Sequence, residues 1–486
     1  MQSVVDSVFP TEAKARANYQ AIFGTRTRFV MVSLVLLCLT SIWSNILTFN
    51  FAVICMGPEE DNSTNGSAVN NADSYSFTSS ERSLAISIVA IAALICNFPS
   101  VAIVNRVGIR TVFCALGLLS AVATLLIPLS IRMGYTYFYV VRALQGVAFA
   151  ANFPVIGAFC ASWAYFKQSG LFVSALVAYV QLSPAITMPA SGALCTAFRW
   201  PSIFYVHGAV CLALFIIYGL FYRNNPKKHP FVGDIEWKKI SSGKLTNIDK
   251  KSLQKIPYGA ILKTPAVWAV WVGAIGNFTI VNLLFLFTPV YLSEVLGFSV
   301  HNTGLSAALP PFAQFCMKVA GGAVSDRIKC LSEQWKFRIF NSIAFFGGAT
   351  FLIILVCINT KNTFLSWLAL GASAGIMGLT TGGFFKAGPV LSRQYSHFVT
   401  GMISVTITVT MLIVPLIVNV VVPNNTAAEW NVVFLITAGV MIVTNIIFCI
   451  FIQGEPCEFT NESYISQRSS KVQDASTVES PTQQRY

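Results

Sequence analysis

The chain has 486 residues, of which 55% are hydrophobic and only 10% are charged, and its mean hydropathy is +0.66. Because a soluble domain carries about 25% charged residues, this composition excludes an ordinary soluble protein and indicates one with many membrane spans. The net charge of +13 does not indicate a nucleic-acid partner, since the basic residues lie mainly in loops between apolar segments. We therefore expect the lipid bilayer, and no nucleic acid, as a partner.

Hydropathy predicts an all-α membrane protein with twelve transmembrane helices, because crossing a bilayer takes about 20 apolar residues. Residues 29–222 and 264–453 are predicted to form two six-helix, pseudo-symmetric bundles. The predicted spans are 29–56, 83–104, 111–131, 136–163, 170–192, 201–222, 264–292, 303–325, 338–358, 364–385, 398–421 and 431–453.

Lysine and arginine are distributed unevenly between the two sides of this arrangement. All but six of the 32 lie in segment 1–28, in the loops after the even-numbered spans or in the tail 454–486. Positive charge marks the cytosolic side, so both termini and the central loop 223–263 are predicted to be cytosolic. That basic loop is expected to lie near anionic lipid or to act only as a topology determinant, and the Ser/Thr/Gln-rich tail to be disordered. The other six are Arg82, Arg132, Arg199 and Lys361 in the opposite loops, and Arg142 and Lys318 within spans.

The opposite side carries three predicted glycosylation sites. Asn62 and Asn65 begin sequons in the acidic outer loop 57–82, and Asn424 begins one in the last outer loop. Cys55 and Cys195 are placed on the same side, but the sequence does not favour a bond between them. Most other cysteines lie inside apolar runs and are interpreted as packing residues, and we expect no metal site.

Weak internal symmetry relates the two halves. Gly170 precedes Pro184 by fourteen residues in the fifth span, and Gly401 precedes Pro415 by fourteen in the eleventh. Two parallel six-span repeats imply a substrate site at their interface near mid-membrane, reached from alternate sides as the halves rock.

Residues 140–163 are most typical of a wall of a transport path, because this apolar stretch contains Arg142, Gln145 and Asn152. A charge at membrane depth costs at least about 2.5 kcal/mol and normally faces a partner or a water-filled path. We expect Arg142 to bind a carboxylate of the substrate, with hydrogen bonds to helix carbonyls as the alternative. For Lys318, snorkelling to the interface is as good an interpretation as substrate contact.

Other polar residues within spans are expected to line the path, although each alone is more often an interhelical hydrogen bond. All nineteen acidic residues lie in loops, in termini or at helix ends, so proton coupling through a buried carboxylate is not expected. His207 is the one internal candidate for proton coupling, against a purely packed histidine. The candidate path residues are Asn45, Thr48, Asn50, Gln145, Asn152, Gln181, Asn277, Asn282 and Gln314.

The six-plus-six organisation and the motif Gly322-x-x-x-Asp326-Arg327 resemble the major facilitator superfamily. That resemblance implies that Gly322, Asp326 and Arg327, with Arg106 in a degraded first-half copy, hold helices together in one conformation. The anion:cation symporter branch is the closer resemblance, and it extends over nearly the whole membrane region. Its shared motifs include Arg142-x-x-Gln145-Gly146, Phe153-Pro154, Ser162-Trp163-Ala164, Pro289-x-Tyr291 and Ala428-Glu429-Trp430.

The chain departs from that branch at several residues tied to its mechanism. The first-helix and seventh-helix arginines of the branch align with Thr48 and Asn277, and its fourth-helix glutamate aligns with Phe149. Its tenth-helix His and Asp align with Gly388 and Val390, and only the fourth-helix arginine is retained, as Arg142. The resemblance therefore implies an altered coupling mechanism.

These features predict a secondary carrier for a small organic anion, acting by alternating access, with or without a co-transported or counter ion. The alternatives are a carrier of a neutral polar solute and a non-transporting membrane sensor or scaffold. We expect no cofactor, and no enzyme activity because no nucleophile–base or metal constellation is evident. The expected location is the plasma membrane or a vesicular or lysosomal membrane.

Overall fold

The computed structural model describes residues 26–57, 75–165, 169–241, 257–358 and 362–461. Twelve long helical elements, α1 to α12, make up this part of the chain. The first six are α1 Thr27–Ala52, α2 Ser79–Val107, α3 Ile109–Met133, α4 Tyr135–Phe149 with Asn152–Trp163, α5 Ser169–Val177 with Tyr179–Phe198, and α6 Pro201–Phe221. The second six are α7 Pro265–Val290, α8 Val300–Ala307 with Leu309–Arg327, α9 Glu333–Cys357, α10 Thr363–Ile376 with Phe384–Ser392, α11 Ser396–Val421 and α12 Ala427–Phe451.

Local sequence explains where these helices begin and break. α2 and α12 both begin with a capping box, in which Thr78 pairs with Glu81 and Thr426 with Glu429. The break in α4 comes just before Pro154, which cannot donate a hydrogen bond to the preceding turn. α10 is interrupted by the 3-10 turn Met377–Gly382. Breaks in mid-membrane leave backbone carbonyls and amides available to line a cavity.

Eleven of the twelve elements are long and apolar enough to cross a membrane, among the residues that the structure describes. The eighth predicted span does form a helix at the expected place, but α8 is less apolar than the other eleven. It is interrupted at Ala308 and carries Gln314, Lys318 and Asp326. The physical reason is that polar side chains of α8 face protein, as described below.

Helices α1 to α6 pack mainly among themselves, as do α7 to α12, and the two groups meet chiefly along α2 with α11 and α5 with α8. We call the end of the bundle where α6 ends and α7 begins the linker side, and the opposite end the far side. Near the far side, α5 and α8 cross closely at two glycines. A Cβ placed on Gly192 would lie 3.1 Å from Cα of Gly304, so neither position has room for a side chain.

A disulfide joins Cys55, at the far-side end of α1, to Cys195 near the far-side end of α5. The sequence left this bond open without favouring it, and the structure contains it. They are separated by 140 residues in sequence, and only the packing of α1 against α5 brings them together.

The residues after α6 fold back on the linker side of the first six helices. The Thr27 hydroxyl donates to the Phe231 carbonyl at 2.8 Å, and the backbone N–H of Arg28 donates to Glu236 at 3.0 Å. His229 is buried against Trp163 and Phe231. This segment, residues 222–241, therefore covers the start of α1, and we call it the strap.

Candidate functional site

Arg142 lies at the centre of a buried polar cluster between α1, α2 and α4. Its guanidinium is fully buried and donates to the carbonyls of Ala85 and Ile46, both at 3.2 Å, and to the Gln145 amide oxygen at 2.7 Å. It also lies over the Phe49 ring, 5.0 Å from the centroid. Only the Nη2 atom has no partner. Arg142 thus joins three helices through backbone carbonyls, which is the alternative that the sequence left open.

Gln145 and Thr48 belong to the same cluster. The Gln145 amide nitrogen donates to the Asn45 carbonyl at 3.0 Å and to the Thr124 hydroxyl at 2.8 Å, while the Thr48 hydroxyl donates to the Asn45 carbonyl at 2.7 Å. α4 lies close to α2 at Gly146, because this residue has no side chain. A Cβ at this position would collide with the Val89 carbonyl. Gln145 therefore uses its amide nitrogen to bind the neighbouring helices α1 and α3, whereas Thr48 bonds within its own helix.

Asn152 sits at the start of the second segment of α4 and is fully buried. Its nearest polar side chain is the Tyr179 hydroxyl of α5, which interacts with the Asn152 amide without the geometry of a good hydrogen bond. Asn152 therefore connects α4 to α5 and is not a lining residue of the cavity described next.

A cavity between the two groups of helices, which we call the central cavity, is lined by three of the predicted path residues, Gln181, Asn277 and Gln314. The predicted path residues Asn45, Asn50 and Asn282 do not line it. The cavity has an empty volume of about 270 Å³ and lies at mid-membrane, beside the middle of α7. Gln181 on α5 donates to Gln314 on α8 at 3.1 Å across the interface, and the Thr380 hydroxyl donates to Asn277 at 3.4 Å. Its lining residues are Val177, Val180, Gln181, Asn277, Phe278, Gln314, Lys318, Met377, Gly378, Thr380 and Phe385.

Lys318 supplies the positive charge of the central cavity. Its ammonium group lies 5.0 Å from the centroid of the Phe385 ring, and among the described residues no carboxylate forms an ion pair with it. Gly378 fixes this position, because its lack of a side chain lets the 3-10 turn of α10 touch the α8 backbone at Gln314 and Lys318. A cation that faces a cavity without an acidic partner can attract an anion.

From the sequence, Lys318 is open between snorkelling to the interface and contact with substrate, and Thr380 is not identified as a candidate. The available signal was the spacing of Gln314 and Lys318, because residues four apart lie on the same face of a helix. The Lys318 side chain does not extend toward the membrane surface. It packs on the Phe385 ring between the two groups of helices.

The predicted gating residues are only partly described. Arg106 and Arg327 are exposed at the linker-side ends of α2 and α8, and the side chain of Asp326 lies outside the described residues. Gly322 has room for a Cβ, whereas its neighbour Gly321 packs closely on Leu379. On the same side, Lys386 forms an ion pair with Glu333 at 3.6 Å. Lys386 is one of the basic residues that predict a cytosolic loop, and this ion pair gives it a structural role as well.

The other predicted residues lie away from the cavity. The His207 ring contacts the carbonyl of Ile203, one turn earlier in its own helix, at 2.9 Å. Asn424 is exposed on the far side, and its amide nitrogen donates to Glu429 at 3.0 Å. Asn62 and Asn65 lie outside the described residues.

This protein is similar to known transporters in sequence and in structure. It is 27% identical to human sialin over 372 residues, which is 74% of this chain and 73% of that protein. It is 27% identical to human vesicular glutamate transporter 2, over 74% and 63% of the two chains, and 28% identical to human sodium-dependent phosphate transport protein 1, over 69% and 72%. These relatives are members of the anion:cation symporter family, as the sequence motifs predicted.

A solved bacterial homologue of the human lysosomal transporter Spinster, in an inward-facing and occupied conformation, shares the fold. The TM-score is 0.65 at 10% identity, and the match covers 87% of this chain and 97% of that one. The family model described as Major Facilitator Superfamily matches residues 35–392. The chain is therefore an integral membrane transporter that belongs to the Major Facilitator Superfamily.

Proposed function

We propose that this transporter moves a small organic anion through the central cavity, with Lys318 as the cation that attracts it. The observation that carries this proposal is an ammonium group that lines an interface cavity and has no acidic partner among the described residues. Gln181, Gln314, Asn277 and Thr380 would hold the remaining polar atoms of the substrate, since they place amide and hydroxyl groups around the same space.

Arg142 takes a different role in this proposal. Its hydrogen bonds to two backbone carbonyls and to Gln145 leave a single nitrogen for any ligand. We assign Arg142 and Gln145 to holding α1, α2, α3 and α4 together as one body that moves during alternating access. Asn152 and Thr48 do not line the central cavity, and the polar first-half residue that lines it is Gln181.

Proton coupling finds little support in this chain. The interior turns of the spanning helices contain no Asp or Glu, and the His207 ring contacts its own helix. Because no carboxylate or imidazole lines the central cavity among the described residues, neither can carry a proton with the anion, whose charge would then cross uncompensated. We therefore propose voltage-driven rather than proton-driven transport.

We also propose that both termini lie in the cytosol. The basic residues fit the positive-inside pattern, and the Cys55–Cys195 disulfide lies on the far side. Disulfides persist where the compartment is oxidising, which fits a lumenal or extracellular far side. Removal of N-glycans should increase the electrophoretic mobility of the chain, and the triple variant Asn62→Gln, Asn65→Gln, Asn424→Gln should lose that shift. An unglycosylated chain in eukaryotic cells would contradict this assignment.

Uptake by purified protein in proteoliposomes tests the role of Lys318. A panel of radiolabelled organic anions is offered to the wild type and to Lys318→Met, with Lys329→Met as control because Lys329 is an exposed lysine beyond the end of the same helix. We expect Lys318→Met to lose anion uptake by about tenfold or more, as a charge-assisted hydrogen bond of about 1.5–3 kcal/mol predicts. The control should transport normally.

The same panel includes neutral polar solutes of similar size. The departures at Thr48 and Asn277, where the branch has arginines, favour a neutral substrate as the second candidate. Uptake of a neutral solute that Lys318→Met leaves unchanged would support that candidate and would contradict the anion assignment.

A further inference from the structure

A second pocket lies between the two groups of helices on the far side, and we call it the far-side pocket. It has an empty volume of about 420 Å³, larger than that of the central cavity, and no residue lines both. It is bounded by α1, α2, α7, α11 and α12. Along α7, Leu286 of this pocket lies roughly 13 Å from Asn277 of the central cavity, at 1.5 Å per residue.

Two buried polar side chains line the far-side pocket without hydrogen-bond partners. Asn50 is 4% exposed, and both its amide nitrogen and its amide oxygen are unpaired. Trp430 is 1% exposed, and its indole N–H is unpaired. Burial without a partner costs each such group free energy, and a ligand that forms hydrogen bonds with them recovers that loss. Buried polar groups without partners in a concave pocket are the expected mark of a binding site.

Arg82 adds a positive charge to the same pocket. Its Nε atom donates to the Phe77 carbonyl at 3.1 Å, which fixes the guanidinium at the start of α2. Glu294 acts on it electrostatically, but among the described residues the two do not form an ion pair. The guanidinium therefore keeps donors for a further acceptor, and arginine suits a planar carboxylate or sulfonate.

We propose that the far-side pocket is a second ligand site, which takes a small organic anion with a carboxylate or sulfonate group and a neighbouring hydroxyl. Arg82, the Asn50 amide nitrogen and the Trp430 indole N–H supply donors for the anionic group, and the Asn50 amide oxygen accepts from the hydroxyl. The aliphatic and aromatic lining, which includes Ile86 and Val290, packs on the ligand's carbon atoms.

The ligand would connect the two halves. Asn50 and Arg82 belong to the first six helices, whereas Trp430 belongs to α12. A ligand that contacts both groups binds best when they are close, so it stabilises the state in which the far side is packed together. This site is separate from the central cavity, so it does not depend on Lys318.

Cysteine modification with charged reagents tests the proposal. Asn50→Cys is treated with methanethiosulfonate reagents that carry either an anionic sulfonate or a cationic ammonium group, and modification of residue 50 is followed by mass spectrometry. Val290→Cys is the second variant, because it lines the same pocket without removing a polar group. We expect about tenfold faster reaction with the sulfonate reagent, and loss of that preference when Arg82→Gln is added to either variant.

Protection by a ligand provides the second measurement. Gluconate, a sugar carboxylate, should slow modification of Val290→Cys by about fivefold or more, and the protection should persist when Lys318→Met is added. Equal reaction with both reagents in both variants, or no protection by gluconate, would overturn the assignment. Protection that disappears with Lys318→Met would instead place the gluconate in the central cavity and would likewise overturn it.

Discussion

Arg142 and Lys318 are both cations at membrane depth, yet their surroundings differ in kind. Arg142 donates to two backbone carbonyls and to Gln145 and is fully buried within the first six helices. Lys318 is half-buried on the face of α8 that lines the central cavity, and its ammonium group lies 5.0 Å from the centroid of the Phe385 ring. A cation that already binds carbonyls holds helices together, whereas a cation without an acidic partner among the described residues is the one that we propose for substrate.

The largest expected effect comes from Arg142→Met. It removes three hydrogen bonds from a charged guanidinium, to the carbonyls of Ile46 and Ala85 and to the amide oxygen of Gln145, and each such bond is worth about 1.5–3 kcal/mol. We expect folding stability to fall by at least about 3 kcal/mol, measured as a lower thermal unfolding midpoint in detergent and a lower yield. Lys318→Met should unfold close to the wild-type temperature, and equal losses in both variants would contradict the distinction between the two cations.

Loss of the far-side disulfide should have the next largest effect. Cys55→Ser opens a loop of 140 residues, and removal of a native disulfide typically costs about 2–4 kcal/mol. We expect a lower unfolding midpoint for Cys55→Ser and for Cys195→Ser, and no further loss in the double variant. Cys357→Ser, at an exposed free cysteine, is the control. Additive losses in the double variant would mean that the two sulfurs are not bonded.

A smaller effect is expected where the two halves share one hydrogen bond in the central cavity. Gln181→Leu removes the donor to Gln314 and a polar group from the cavity wall. A net hydrogen bond is worth about 1 kcal/mol, so the KM for the anion should rise about fivefold. Gln334→Leu, which removes a bond to the Ile452 carbonyl at the linker side, should leave KM unchanged. An unchanged KM in Gln181→Leu would exclude this side chain from the substrate site.

The strap should respond to pH through His229, with the smallest effect of the four. Burial lowers the pKa of the His229 imidazole, with a further lowering by Arg223 and an opposing hydrogen bond to the Phe221 carbonyl. A lowered pKa in the docked state means that the undocked strap binds more protons, so docking is stable above about pH 6.5 and weakens as pH falls below it. Amide exchange in residues 229–241, corrected for the intrinsic rate, should therefore accelerate between pH 7.5 and 5.5.

A matched histidine checks that response. His229→Gln should lose most of the pH dependence of exchange in the strap, whereas His301→Gln, which changes an exposed histidine, should keep it. A strap whose exchange is equally sensitive to pH in the His229 variant would show that another group controls its docking.

The sequence predicts the helices well, because a span is a local property of about 20 residues. α8 illustrates the limit: the helix is where hydropathy places it, yet its polar residues serve the contact with α5 and the cavity. The residues that form the central cavity come from α5, α7, α8 and α10, and no local pattern encodes their meeting. The Cys55–Cys195 bond and the close approach of Gly378 to Lys318 are likewise consequences of tertiary packing.

Only part of the candidate site could be predicted, because its residues are brought together by tertiary packing. Gln314 and Asn277 are in the cavity as expected, but Arg142 and Gln145 are not among its lining residues. Sequence alone identifies a costly buried charge, but it does not show whether neighbouring carbonyls already bind it. Those carbonyls belong to α1 and α2, far from Arg142 in the chain.

The most direct test of the account is anion uptake into proteoliposomes with voltage and a pH gradient imposed separately. The account predicts uptake that follows the voltage, ignores the pH gradient and is lost in Lys318→Met, because the path has a cation and no buried carboxylate. Uptake that follows the pH gradient at zero voltage would contradict it, and would return attention to His207 as a proton carrier.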